Sequence, residues 1–126
     1  MFYKRSEYFR YTFGEPLQGE FRLLLSNGEE RKSKPGECLL IDISPGGSKI
    51  YCEFDIPMDQ KGVRMSLTFT LHEDPIETNG QIVWKKPSKS AYLYGVDFDP
   101  NDETEELIVN ELKLMRRSDA TSTKKG

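Results

Sequence analysis

Residues 63–72 alternate almost without fault. Met65, Leu67, Phe69 and Leu71 fall on one side, and Arg64, Ser66, Thr68 and Thr70 on the other. Successive side chains of a strand point to opposite faces, so a period of two held this long requires a sheet with one dry and one wet face. The rest of the chain must supply neighbours for that strand, and it contains several candidates. A first strand is expected around Phe9–Phe13, ended by Gly14 and Pro16, and a second near Gln18–Ser26 with Phe21, Leu23 and Leu25 on one face. Ser26-Asn27-Gly28 signals a turn, and Glu29–Gly36 reads as an exposed connection. Cys38–Ile43 and Ser48–Phe54 follow, the latter alternating Ile50, Cys52 and Phe54 with Lys49, Tyr51 and Glu53. Pro57–Gly62 makes a loop. Pro75 opens a strand through Trp84, bent at Gly80; Lys86–Lys89 turns back, and Ala91–Phe98 is the last strand. Trp84 and the apolar strand positions are expected in the core.

After Pro100 the period changes. Asp102 and Glu105 have the spacing of a capping box, and Ile108, Leu112 and Met115, widened by Leu107, form an apolar stripe at helical spacing. A helix is expected over 102–117 and a disordered basic tail over 118–126. Six or seven strands at hairpin spacing and one helix predict an all-β chain, an antiparallel β-barrel over most of residues 8–99 with a C-terminal helix. Closing the sheet removes its edges.

With 126 residues there is room for one domain. No apolar run approaches the roughly 20 residues that span a bilayer, so no membrane insertion is expected and the cytoplasm is the expected address. Cys38 and Cys52, with no secretion signal, are expected as reduced thiols. The net charge of −3 is unevenly spread: residues 1–10 carry +2, residues 113–126 carry +4, and the body between carries −9. An acidic body suits a long nucleic acid poorly, because that affinity rests on many neutralised phosphates. A basic arm can still hold one or two.

Asp42-Ile43-Ser44-Pro45-Gly46-Gly47 lies between two strand-like runs and marks a reversal. Pro45 presets the first central angle of a turn, and Gly46 accepts the positive φ of a type II turn. Asp42 and Ser44, two apart on extended backbone, share a face. A carboxylate beside a hydroxyl suits the N1–H and N2–H₂ of a guanine, and Gly47 offers backbone without a Cβ. As a plain hairpin corner, the same residues would only tie down their own backbone.

An arginine-bearing arm, a barrel, a D-x-S-x-x-G corner and a terminal helix, in that order, resemble the PilZ domain family, the bacterial receptor module for cyclic di-GMP. The likeness runs from about Lys4 to Met115. The corner matches at Asp42, Ser44 and Gly47, and Gly80-Gln81-Ile82-Val83-Trp84 and Tyr94-Gly95-Val96-Asp97-Phe98 resemble the family's later strands. In the family's arm motif, R-x-x-x-R, Arg10 takes the second place, Ser6 stands in the first, and Arg5 lies one residue early. A one-residue shift on extended backbone sends a side chain to the other face, so Arg5 serves only if the arm rearranges. Lys4 would supply charge without a planar fork. The resemblance implies a PilZ-like domain over 1–117, with 1–8 a flexible arm. It implies that Arg5 and Arg10 grip phosphate and guanine, and that Asp42, Ser44 and Gly47 meet the base. Lys4, Ser6 and Gly46 are additional candidates.

The function so implied is a cyclic di-GMP receptor and adaptor that relays nucleotide binding to a protein partner not named by the sequence. The alternative is a PilZ-like adaptor that works by protein contact without nucleotide, with Ser6 as its support. A third reading, an oligonucleotide-binding barrel, meets the acidic body. No catalytic set, cofactor or metal site is expected: His72 is the single histidine, and no spacing gives it co-ligands. An enzyme is not expected.

Overall fold

The computed structural model describes residues 10–26, 30–32, 34–58 and 63–125. Seven strands and a helix follow in order: β1 (Tyr11–Ser26), β2 (Glu30–Lys32), β3 (Gly36–Ser44), β4 (Gly47–Cys52), β5 (Val63–Thr70), β6 (Pro75–Ser88), β7 (Ala91–Phe98) and α1 (Asp102–Lys125). All pairings are antiparallel. The order β1-β3-β4-β7-β6-β5 returns to β1 through a β1–β5 ladder, so six strands close a barrel. The seventh, β2, pairs with the end of β1 inside the stretch expected to be a connection.

Closure depends on the length of β1. Its residues from Tyr11 to Phe21 pair with β3, and those from Gly19 to Leu24 pair with β5. The sequence predicts a break at Gly14 and Pro16, but the strand absorbs both. Between the pairs Thr12↔Asp42 and Leu17↔Leu40, residues 13–16 stand opposite the single residue Ile41. A bulge is where a proline, which cannot donate to a ladder, is tolerated inside a strand.

The alternation of β5 is realised as expected: Met65, Leu67 and Phe69 are buried in a core shared with Phe21, Leu40, Ile50, Ile82, Tyr94 and Phe98. Cys38 and Cys52 are buried free thiols, and burial pushes the Cys38 thiol up to about 12, with Cys52 adding to it. Trp84 and Phe54, both expected in the core, are not there: Trp84 is 40% exposed and Phe54 55%, and Val83 beside Trp84 is 48% exposed. The bend expected at Gly80 falls instead at Val83, where the register with β7 shifts between Ile82 and Trp84. That shift keeps Ile82 inside and turns Trp84 out. Beyond it β6 continues to Ser88, so the reversal tightens to Lys89-Ser90, with Lys89 at φ 56°.

Ile108 and Leu112 of α1 enter the core. The cap is Asn101 rather than Asp102: its Oδ1 accepts from Thr104 N–H (2.9 Å) and its C=O from Glu105 N–H (2.9 Å). At the other end α1 runs to Lys125, past the expected stop at 117, so residues 118–125 are helical rather than a disordered tail. No Gly or Pro interrupts that stretch. A polar contact helps to fix the helix to the barrel. Buried Glu111 accepts, at Oε1, the N–H groups of His72 (3.2 Å), Glu73 (2.8 Å) and Asp74 (3.1 Å) in the β5–β6 turn.

Candidate functional site

One cross-strand row runs over four strands: Asp42 on β3 pairs with Lys49 on β4, Lys49 with Gly95 on β7, and Gly95 with Trp84 on β6. Residues directly opposite one another share a face. The register shift at Ile41 sets Asp42 opposite Lys49, and the shift at Val83 sets Trp84 opposite Gly95. Two bulges therefore bring a carboxylate, an amine and an indole into line.

The indole lies against Gly95 because that position has no side chain. A Cβ there would stand 2.6 Å from Trp84 Cδ1 and nearer still to Nε1. Any larger residue would lift the ring. Asp42 is buried at the other end of the row, and its Oδ1 accepts from Lys49 N–H (2.9 Å) and Arg10 Nη1 (2.7 Å). These two bonds differ in permanence. The Lys49 amide belongs to the ladder. Arg10 is 46% exposed over a carboxylate that is 7% exposed, and a pair with one half-exposed member contributes about 1 kcal/mol or less. Arg10 can leave Asp42 for a ligand at small cost, and neither bond uses Oδ2.

Arg10, Asp42, Lys49, Val83, Trp84 and Asp97 line a cleft of about 300 Å³, with Ser48, Gly95 and Val96. A flat aromatic surface, two cations and the two carboxylates of Asp42 and Asp97 suit a planar ligand that carries both anionic groups and N–H donors.

Of the residues singled out from sequence, Arg10 and Asp42 meet in this cleft. Ser44, Gly46 and Gly47 form the adjoining corner and do not line it. The Ser44 hydroxyl is buried within its own turn, accepting from Gly46 N–H (3.3 Å) and donating to Gly47 C=O (3.3 Å). The bare backbone of Gly47 serves β7: a Cβ would meet Val96 O at 2.5 Å. Ser48 donates to Asp42 C=O (2.7 Å) and locks the start of β4 to β3. Lys4, Arg5 and Ser6 lie outside the described residues. Sequence reasoning missed Lys49, Trp84 and Asp97. An extra residue in β6 leaves no mark in the hydrophobic pattern, although Trp84 and Gly95 both lie in segments recognised as family-like.

A family model for the PilZ domain matches residues 4–113. The chain belongs to the PilZ domain family. Among solved structures, this PilZ chain is similar to Escherichia coli YcgR in complex with c-di-GMP, with a TM-score of 0.67 and 14% identity over 97% of this chain and 50% of that one. It is similar also to the isolated PilZ domain of Escherichia coli YcgR with c-di-GMP (TM-score 0.65, 16% identity, 98% of this chain, 100% of that one). A third likeness is to the Bacillus subtilis inhibitor of motility MotI/DgrA (TM-score 0.60, 17% identity, 94% and 53%). The chain thus spans about half the length of the first and third. Among curated proteins, none matches. Identities this low establish the fold, and the closed barrel with its C-terminal helix is the PilZ fold. No helix among the described residues is long and apolar enough to cross a membrane.

Proposed function

We propose that this PilZ domain is a cyclic di-GMP receptor that passes nucleotide binding on to a protein partner. The observation that carries the reading is the placement of Arg10 on Asp42 at one end of a row whose other end is the exposed Trp84. A guanine fits by stacking on the indole, while Asp42 accepts its N–H groups and Arg10 turns to a phosphate. Lys49 supplies a second cation without a fork. Arg5 or Lys4 would add the further phosphate contact that Ser6 cannot make. Both YcgR structures hold c-di-GMP and MotI is an inhibitor of motility, which supports a receptor acting through another protein. In this reading the groups bind and orient a ligand, and the role proposed is recognition, in the cytoplasm.

A second reading, an adaptor that has given up the nucleotide, draws on two observations. Ser6 stands where the arm motif has arginine, and the Ser44 hydroxyl is engaged by its own corner. Calorimetric titration with cyclic di-GMP decides between them. The receptor reading expects saturable binding by the full chain, loss of it in Arg10→Ala, and weakening by about 1.5–3 kcal/mol in Asp42→Ala, where a charged acceptor is lost. Asp42→Asn keeps an acceptor for Lys49 N–H and separates ligand binding from fold. A well-folded wild type that gives no binding heat leaves the adaptor reading.

A further inference from the structure

Arg10 faces a second cavity as well. Arg10, Tyr11 and Thr12 at the start of β1 face Val109, Leu112, Lys113 and Arg116 of α1 across a groove of about 500 Å³. The four helix residues stand at i, i+3, i+4 and i+7, a single helical face. Leu112 is buried and Tyr11 and Val109 half-buried, so the floor is apolar. Lys113 and Arg116 are exposed, and the Arg116 guanidinium stands 5.9 Å from the Tyr11 ring centroid. Among the described residues no carboxylate lines the groove. Three cations around an apolar floor, on a chain of net charge −3, are a local reversal of the protein's own sign.

We propose that this groove docks an acidic peptide segment of the protein partner, with apolar side chains on the floor and carboxylates at Lys113, Arg116 and Arg10. An apolar centre inside a charged rim is the anatomy of a protein interface. A free inorganic anion would leave the floor unused. Because Arg10 lines both this groove and the Asp42 cleft, a nucleotide phosphate and a peptide carboxylate draw on the same guanidinium. The two ligands therefore oppose each other, each weakening the other by the same factor. Only this coupling rests on the receptor reading above; the groove does not.

The test is fluorescence anisotropy on the full chain with a dye-labelled peptide of about eight residues, enough to extend along the groove, alternating glutamate with leucine. A lysine–leucine peptide and an all-glutamate peptide are run beside it, as are vesicles containing phosphatidylglycerol. The glutamate–leucine peptide alone should bind, weaken with salt, and lose about tenfold in affinity in Lys113→Glu and in Arg116→Glu. Lys113→Ala, which adds no carboxylate beside Arg10, should bind cyclic di-GMP as the wild type does. Saturating cyclic di-GMP should weaken the peptide by about fivefold or more. Equal binding of the all-glutamate peptide would make this an anion site, and vesicle capture without peptide binding would make it a membrane face; either overturns the proposal. So does peptide binding indifferent to both charge reversals. Peptide affinity unmoved by bound nucleotide overturns the sharing of Arg10. A chain that binds the peptide but no nucleotide sinks the receptor reading and sustains the groove.

Discussion

Replacing Gly95 with alanine should disable the candidate cleft while leaving the barrel standing. The added Cβ would fall 2.6 Å from Trp84 Cδ1, a separation no carbon pair sustains, and closer to Nε1. Something must move, and the indole is what can: it is 40% exposed, at the end of a side chain with open water beside it. Backbone hydrogen bonds between Gly95 and its neighbours need not break, so the fold should lose only about 1 kcal/mol, near the small end for an overpacking change. The ligand loses more. Base–aromatic stacking contributes about 1–3 kcal/mol per base, so affinity for cyclic di-GMP should drop by roughly five- to 150-fold. Trp84→Ala should drop it as far. Trp84 is the single tryptophan of the chain, so its emission reports the displacement directly, shifting to the red as the ring enters water. Calorimetry then gives the affinity. Unchanged affinity in Gly95→Ala with shifted emission would show that the indole is no platform for the base. Unshifted emission would refute the steric reasoning itself.

Gly47→Ala should behave in the opposite way: its Cβ meets the Val96 carbonyl oxygen at 2.5 Å, backbone that cannot swing aside. A melting experiment should show a loss of about 1–3 kcal/mol, with cyclic di-GMP binding reduced only as the folded fraction falls. Glu111→Gln should cost about 1 kcal/mol at neutral pH, the difference between a charged and a neutral acceptor. The N–H groups of Glu73, Asp74 and His72, that of Glu73 most, hold the Glu111 carboxyl below its ordinary value of 4.5. A lowered folded value means this stability is complete above 4.5 and fades as pH falls through the folded value. Wild type and variant should therefore converge in denaturant melts run progressively below pH 4.5, and a gap that stayed constant would argue against the carboxylate latch. Ser6→Arg, which restores the arm spacing to Arg10, should tighten cyclic di-GMP by about one decade. No gain over a tight wild type would mean that Arg5 already serves.

What could be read from the sequence divides along a physical line. The strand positions of β5 and β7 and the start of α1 follow from side-chain alternation and a proline, signals that act over a few residues. Turn chemistry located the corner, and the resemblance singled out Arg10. Bulges were not legible at all. Nothing in Phe13-Gly14-Glu15-Pro16 announces that a strand will bulge there and continue, since a Gly and a Pro two apart usually end one. Nor does Ile82-Val83-Trp84 announce an extra residue in β6. Yet these irregularities place the groups of the candidate cleft. Without the shift at Val83, the alternation that buries Ile82 would bury Trp84 as well, and the sequence reading put it in the core for that reason.

The same distinction bears on how the motif residues should be weighed. Ser44 ties Gly46 to Gly47, Gly47 lets Val96 approach, and Ser48 holds the Asp42 carbonyl. Together they fix where Asp42 leaves β3, and Asp42 alone of the corner's three motif residues lines the cleft. A chain can therefore keep D-x-S-x-x-G for the sake of its barrel after losing its ligand, so the corner by itself is evidence of fold. Evidence of ligand must come from groups the barrel does not need. Arg10 is half-exposed and held by a pair that contributes little, and Trp84 lies on the outer face at some cost in exposed apolar surface. Neither position is explained by stability. That both open on one cleft with Asp42 is what favours the receptor over the adaptor.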